Sequence, residues 1–576
     1  MSNETDDTKL LINRRNALTA LGLSAAGLSI TEFMIPRAHA SGQISEAQLP
    51  HKETPGKYTV LNPQGIRQSM DRVPLSPRIG NLDGKVVYFV SQDKPVYTEE
   101  LAKRFSMRVP GAKTVFKKKP GWVSSDDLEL RDEVKQKADA MVYGTAMGGG
   151  SGMYAVGWIR EVEKHGIPSM YVVGEYFVPD VKASADMWGI PALRTVVTPL
   201  VGEDRVKQDM TDEKYDEIIS GIISALTKPL TEEEKKGGKI FTEKPQRIAM
   251  TGTLDEVQDY FNKNGWSDGL PVIPPAEELV NKMLKGTSHS PDEVVTSSMH
   301  PEELTVTVEK TAIVGVMAGC KPEYMPVLLA LIETWGNPMF THSTRSDSSM
   351  TLMTFLNGPI RNEIKMNPST NALGPGNQAN AAIGRFLSLA TIALGGSVPI
   401  ANNLSTIGTP TRYCFCFPEH EEKSPWEPFH VSMGYKPQES VVSLCSGGWC
   451  HWSFMGDLDL LARAVAGFYW SNRGGIILMA PGAARLYASK GMSKADVERY
   501  IQKKAVPLME DQTPTWFLFD QPAPSRSDNE PSKGSKERED PRGSVKVIVV
   551  GGETMIPCAQ AWQFNPPITT VVDKWR

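Results

Sequence analysis

The sequence predicts an α/β protein: an N-terminal parallel α/β sandwich domain followed by a larger C-terminal domain of mixed α+β and α/β character. Three observations predict it. Apolar runs of strand length alternate with helical patterns between residues 85 and 173. A strand–helix unit recurs between residues 475 and 503, with a further β-branched run at 545–550. Gly and Pro are abundant, 49 and 42 in 576 residues, which predicts many turns and much irregular backbone.

The chain opens on what reads as an export signal over residues 1–40. Arg14 and Arg15 precede a Gly/Ala-softened apolar run from Ala17 to Ile30, and Ala38-His39-Ala40 supplies small residues at a peptidase site. That order fits a twin-arginine signal, although Asn16 and Ala17 stand where an aromatic residue is usual. A mature protein beginning near Ser41 and located in the periplasm is expected. Residues 41–79, polar and punctuated by Pro and Gly, read as an extended lead-in.

The N-terminal domain is expected over residues 80–245. Lys85–Val90, Ala138–Gly144 and Ser169–Val173 read as strands; Tyr97–Phe105 and Tyr154–His165 read as helices. Strands separated by helices imply a parallel sheet covered on both faces. The turn Gly148–Gly152 falls after a strand and before a helix, the end at which open α/β sheets bind ligands. A charged helical stretch, Asp212–Lys239, closes the unit.

The second domain is expected over residues 246–576. Leu254–Asn264 reads as a helix, Thr311–Ala318 as strand or helix, and Tyr324–Trp335 as a buried helix. Asn357–Phe417, with recurring Gly, Asn and Pro, is expected to be irregular backbone lining a site. Gly475–Met479 and Val545–Val550 read as strands, Ala483–Ser489 and Lys494–Lys503 as helices, and residues 522–543 as a mobile surface loop.

Composition narrows the function. With 62 Lys+Arg against 67 Asp+Glu, the formal charge of −5 gives no electrostatic case for nucleic acid. Six Cys in 576 residues are too few for a disulfide scaffold. Outside the signal, no uncharged apolar run approaches the length of a spanning helix.

The densest chemistry lies between Tyr413 and His430, where Cys414, Cys416, Glu419, His420, Glu421, Glu422 and His430 crowd together. On a strand, Cys414 and Cys416 share a face. An imidazolium activates a neighbouring thiol, and a carboxylate fixes the tautomer of a neighbouring His. Cys445 and Cys450 form a second thiol group whose spacing is not that of a zinc site, and no metal is expected. Asp268, in the turn Ser267-Asp268-Gly269, is a candidate acid or a turn-forming residue. Arg361, in Asn357-Gly358-Pro359-Ile360-Arg361, can clamp a carboxylate or form a structural ion pair.

Several of these blocks carry a resemblance. Gly265-Trp266-Ser267-Asp268-Gly269-Leu270-Pro271, Ala318-Gly319-Cys320-Lys321-Pro322-Glu323-Tyr324, Asn357–Arg361, Gly374-Pro375-Gly376, Ile383-Gly384-Arg385 and Ser424-Pro425-Trp426 resemble the UGSC-type selenoprotein/cysteine-protein family. So does the N-terminal unit ending in His165-Gly166-Ile167-Pro168, which extends the resemblance over roughly residues 80–576. The family takes its name from a Sec/Cys-Gly-Ser-Cys motif, from which a thiol or selenol redox role has been inferred. Here the matching stretch is Gly149-Gly150-Ser151-Gly152, with Gly at both redox positions, so dithiol chemistry there is lost. The resemblance implies Cys320 and Cys416 as site thiols.

Together these readings predict an exported enzyme acting on a small, anionic organic substrate by acid–base chemistry of the lyase, hydratase or isomerase type. Cys320, Cys416, Glu419, His430 and Asp268 are the expected catalytic residues; Arg361, Gly149, Gly150, Ser151 and Asn357 are expected to bind substrate. No cofactor is specified. A thiol-dependent oxidoreductase using the C-terminal Cys, and a non-catalytic periplasmic binding or accessory subunit, are the alternatives. A co-exported partner or self-association is compatible with each.

Overall fold

In the computed structural model, the described residues are 56–92, 95–120, 126–144, 149–199, 210–242, 244–346, 349–453, 457–466, 475–511, 545–553, 558–562 and 566–576. The expected signal, the first part of the lead-in and the expected loop 522–543 lie outside them. Two short strands come first, β1 (Tyr58–Leu61) and β2 (Met70–Arg72). The chain then alternates: β3 (Val86–Ser91), α1 (Pro95–Arg108), β4 (Lys113–Lys118), α2 (Leu128–Lys137), β5 (Ala140–Tyr143), α3 (Gly149–Glu163), β6 (Ser169–Gly174), α4 (Val178–Met187), β7 (Thr195–Thr198) and α5 (Asp212–Thr227).

Strands β3 to β7 form one parallel five-stranded sheet in the order β4-β3-β5-β6-β7. Counted along the chain, this is the doubly wound order 2-1-3-4-5, with its switch point between β3 and β5. Side-chain alternation explains why both faces are covered. Val90, Met141, Tyr143, Tyr171 and Val173 join one core with α2, α3 and α4. Val87, Phe89, Val142, Met170 and Val172 join the other with α1 and α5.

After β8 (Gly238–Ile240) and β9 (Ile248–Gly252) come α6 (Leu254–Lys263), α7 (Glu277–Leu284), β10 (Val294–Met299), β11 (Leu304–Thr307), α8 (Val308–Met317) and α9 (Met325–Trp335). Thr253 caps α6 through a reciprocal pair of hydrogen bonds with Glu256, which fixes its start. Strands β9 and β8 pair back onto β1 and β2, so the residues around 245 are stitched to the lead-in, and Pro55–Arg576 form a single compact unit. Thr311–Ala318, readable from sequence as strand or helix, lies in α8 and the turn that ends it.

Strand β12 (Thr351–Asn357) precedes α10 (Gln378–Ala393), then β13 (Cys416–Pro418), β14 (Val441–Gly447), β15 (Trp449–Ser453), α11 (Leu458–Ala466), β16 (Gly475–Met479), α12 (Pro481–Ser489), α13 (Lys494–Asp511), β17 (Val545–Val549), β18 (Cys558–Trp562) and β19 (Ile568–Val571). They build two four-stranded sheets, β13-β12-β14-β19 and β15-β18-β16-β17. The stretch expected to be irregular between Asn357 and Phe417 therefore contains a sixteen-residue helix. Ala379, Ala382, Ile383, Phe386, Leu387 and Ala390 of α10 are all buried in the largest core, which leaves only a narrow polar stripe, Gln378, Arg385 and Ser388, to announce the helix in sequence.

Among the described residues no helix is long and apolar enough to cross a membrane.

Candidate functional site

The clearest opening is a cleft of about 800 Å³. Its described lining carries two charged residues, Asp268 and Arg412. Asp268 sits in a turn closed by its own side chain, whose Oδ1 accepts from the Leu270 N–H at 3.1 Å, while Gly269 takes a positive φ. Arg385 reaches across from α10 and holds the Asp268 carboxylate in a bidentate pair at 2.9 and 3.0 Å. The same guanidinium donates to the Leu270 and Pro271 carbonyls, so Arg385 is fully occupied.

Arg412 differs. Its Nε donates to the Met350 carbonyl at 2.7 Å and one amino nitrogen to Asn403 Oδ1 at 2.8 Å. The other amino nitrogen is buried and unpartnered, and no described carboxylate lies at ion-pair distance. Burial lowers its pKa to about 10. In the short helix Thr341–Arg345, the hydroxyls of Ser343 and Thr344 are also buried without a partner, and both residues line the cleft. Buried donors left without acceptors are uncommon and ask for a ligand or water. With the charge of Asp268 answered by Arg385, the cleft carries one uncompensated cation.

Behind the cleft, the next residue of that short helix enters a buried ion network. Arg345 is fully buried and donates to Asp180 Oδ1 at 2.7 Å and Glu302 Oε1 at 2.9 Å. Desolvation raises the Asp180 pKa to about 7, even with Arg345 opposing it. Asp180 Oδ2 is unpartnered and faces Gly152, where a Cβ would lie 2.8 Å away. Residues 149–152, expected to be a turn, are the first turn of α3, and the missing side chain of Gly152 lets α3 approach α4 closely. Ser151 is buried on α3, and neither it nor Gly150 is among the described residues lining the cleft.

Four of the expected site residues do converge, in a separate buried cluster. Asn357 ends β12, Glu419 follows β13, and His430 belongs to the short helix Phe429–Ser432. Glu419 Oε2 accepts from Asn357 Nδ2 at 2.5 Å and from the Phe429 N–H at 2.7 Å. His430 is fully buried; its Nδ1 lies 3.8 Å from Glu421, and neither ring nitrogen has a hydrogen bond. Arg361 donates to the Gly358 and Glu419 carbonyls at 3.0 and 2.8 Å, and pairs with Glu421 at 2.8 Å and Glu422 at 3.0 Å. Desolvation pushes the Glu422 carboxyl up, but hydrogen bonds from Arg361, its own backbone and Asn362, together with the Arg361 charge, outweigh it and bring the pKa down to about 2. Every part of the Arg361 guanidinium is engaged, so it has no capacity to clamp a substrate carboxylate. None of these four residues lines the cleft.

The thiols occupy a third place, around α10. Cys320 Sγ donates to the Ala382 carbonyl at 3.4 Å and Cys414 Sγ to the Asn380 carbonyl at 3.6 Å. Gly384 leaves the space that the Cys414 thiol and Cys416 Cβ fill. Burial pushes all three thiols up, and the charges that act on Cys416 are those of Cys414 and Cys320 rather than an imidazolium. The strand here is confined to Cys416–Pro418, so Cys414 is not on it. Among the described residues, no group of three or more His, Cys, Asp or Glu could hold a metal ion.

Sequence reasoning missed Arg412, Arg345 and Asp180. Arg345 had a usable signal, the polar run Thr341-His342-Ser343-Thr344-Arg345 after a buried helix. Arg412 had none, because its distinguishing property is a missing partner.

Residues 59–228 match the UGSC family. The match spans the parallel sheet and its helices, including Gly149–Gly152, and ends after α5; the resembling blocks from Gly265 onward lie beyond it. No curated protein and no solved structure significantly matches the chain.

Proposed function

We propose that this chain is an enzyme acting on a small anionic organic molecule held in the cleft between Asp268 and Arg412. The observation that carries the reading is Arg412: a largely buried guanidinium with no carboxylate partner among the described residues and one free amino nitrogen, in a cleft also lined by the unpartnered hydroxyls of Ser343 and Thr344. Such a site favours an anion that brings its own acceptors. Asp268, the one expected catalytic residue that lines the cleft, is the proton-transfer group, and Arg385 fixes its orientation. Thiol chemistry has less support, since burial raises Cys320 and Cys416 and the nucleophile is the thiolate.

Isothermal titration of a panel of carboxylates against the wild-type chain and R412M tests the reading. At least tenfold weaker binding to R412M is expected; a panel bound equally by both removes the clamp. Turnover separates an enzyme from an accessory binding subunit: D268N should bind the same ligand and lose activity.

Export to the periplasm belongs to the same proposal and is supported by Arg14-Arg15, the apolar run and the Ala38-His39-Ala40 site. Cell fractionation of R14K/R15K should find the protein retained inside; unchanged export would refute the twin-arginine signal.

A further inference from the structure

We infer that the ligand is an amphipathic monoanion, a single carboxylate on a medium-length aliphatic or aromatic body. This rests on the reading of Arg412 as the anion clamp and goes beyond it in naming the substrate class. Charge sets the first limit. Arg412 is the single uncompensated cation among the described lining residues, and a second carboxylate on the ligand would gain nothing from Arg385, which Asp268 already occupies.

The apolar surface sets the second limit. Leu387 and Phe415 are buried beneath the cleft and Ile392 is half-buried beside them. At its mouth stand Val398, Ile407 and Tyr413, exposed to 52%, 93% and 52%. Single exposed apolar side chains need no explanation, but three on one rim, continuous with an apolar floor, mark a binding surface. A short polar acid would touch the guanidinium and leave this surface wet. A body of several methylenes, or a ring, covers it, and a cleft of about 800 Å³ has room for one.

The Val398 side of the rim is also fixed before any ligand arrives. The Val398 N–H donates to Asn402 Oδ1 at 2.7 Å, and the Val398 carbonyl accepts from the Asn402 and Asn403 N–H groups, both at 3.1 Å. Ile400 is held at a φ of 72°, uncommon for a β-branched residue, with its N–H on the Asn403 carbonyl. Asn403 in turn holds Arg412 through its side chain, so the apolar rim and the cation are built on one piece of backbone. Preorganisation of this kind lowers the cost of ordering the site on binding.

The test is titration calorimetry of the full chain with butanoate, hexanoate and octanoate, with succinate and octylamine as controls. Affinity should rise about threefold to fourfold per added methylene, so that octanoate binds about 100-fold more tightly than butanoate. Succinate and octylamine should each bind at least tenfold more weakly than octanoate. I407S, at a position too exposed to disturb folding, should weaken octanoate at least threefold and leave butanoate within twofold. Equal binding of butanoate and octanoate, succinate binding more tightly than octanoate, or octanoate indifferent to I407S would overturn the amphipathic substrate and leave the anion cleft standing. Octylamine binding as well as octanoate, or R412M keeping octanoate affinity, would overturn the clamp itself. No binding of any carboxylate would overturn both.

Discussion

Arg345 and Asp180 form an ion pair at 2.7 Å with both side chains fully buried, joining the helix beneath the cleft to α4 of the parallel sheet. Glu302 completes the network and is itself held by Arg67 at 2.8 Å and Asn402 at 2.5 Å. Breaking a buried pair from one side leaves an uncompensated charge in low dielectric. R345M should therefore lose ~3–5 kcal/mol of stability in chemical denaturation. The double variant R345M/D180N should recover part of that loss; no recovery would mean that the cost lies in packing.

Asp180 also gives stability a pH dependence. Its pKa is raised in the folded state, mainly by desolvation, from an ordinary 3.8 to about 7. Between those values the folded protein binds the extra proton, so the contribution is present at low pH and lost as pH climbs to about 7. In that window its share of the slope is about −1.4 kcal/mol per pH unit at most. Denaturation of wild type and D180N at pH 5 and 7 measures it: the variant's stability should fall less across that interval. Parallel losses would assign the slope to other groups.

Two arginines that look alike in sequence should behave differently. Arg361 is saturated by two carbonyls and two carboxylates, so R361M should cost ~2–4 kcal/mol of stability, while protein that remains folded binds ligand as wild type does. R412M should lose ligand affinity, and its loss of the hydrogen bonds to the Met350 carbonyl and Asn403 should cost ~1–3 kcal/mol of stability, so binding in the protein that remains folded is what separates the two variants. Parallel thermal-shift and calorimetric measurements on both variants decide the matter.

Thiol reactivity should follow exposure. Of the four cysteines whose side chains are described, Cys414 is exposed, Cys320 half-buried, and Cys416 and Cys445 buried. Alkylation with iodoacetamide at neutral pH, read by peptide mapping, should label Cys414 ahead of Cys320, Cys416 and Cys445 but more slowly than a free thiol, because its sulfur packs against α10. Rapid labelling of Cys416 would point to a thiolate that the packing around α10 does not explain.

The architecture was largely legible because its strands are contiguous apolar runs bounded by turns. Strands β3, β5, β6, β16 and β17 lie where their Val, Ile and Met content puts them. Helix α10 was hidden, since Ala, Leu and Ile on most of its faces erase the amphipathic period and Gly384 interrupts it. The site was legible only in part. Asp268 announces its turn through the Gly that follows it, and the Asn357–His430 group is dense enough to see. What distinguishes Arg412 from Arg361 is the company each keeps after folding. Arg345 finds Asp180 across a separation of 165 residues, which no local pattern encodes.

Gly152 stands where the family resemblance places the second redox residue, and a Cβ there would lie 2.8 Å from the Asp180 carboxylate. That carboxylate is anchored to Arg345 and has little freedom to retreat. A side chain introduced at this position meets a charge already committed elsewhere, so a thiol at 152 and the present packing of α3 on α4 exclude one another.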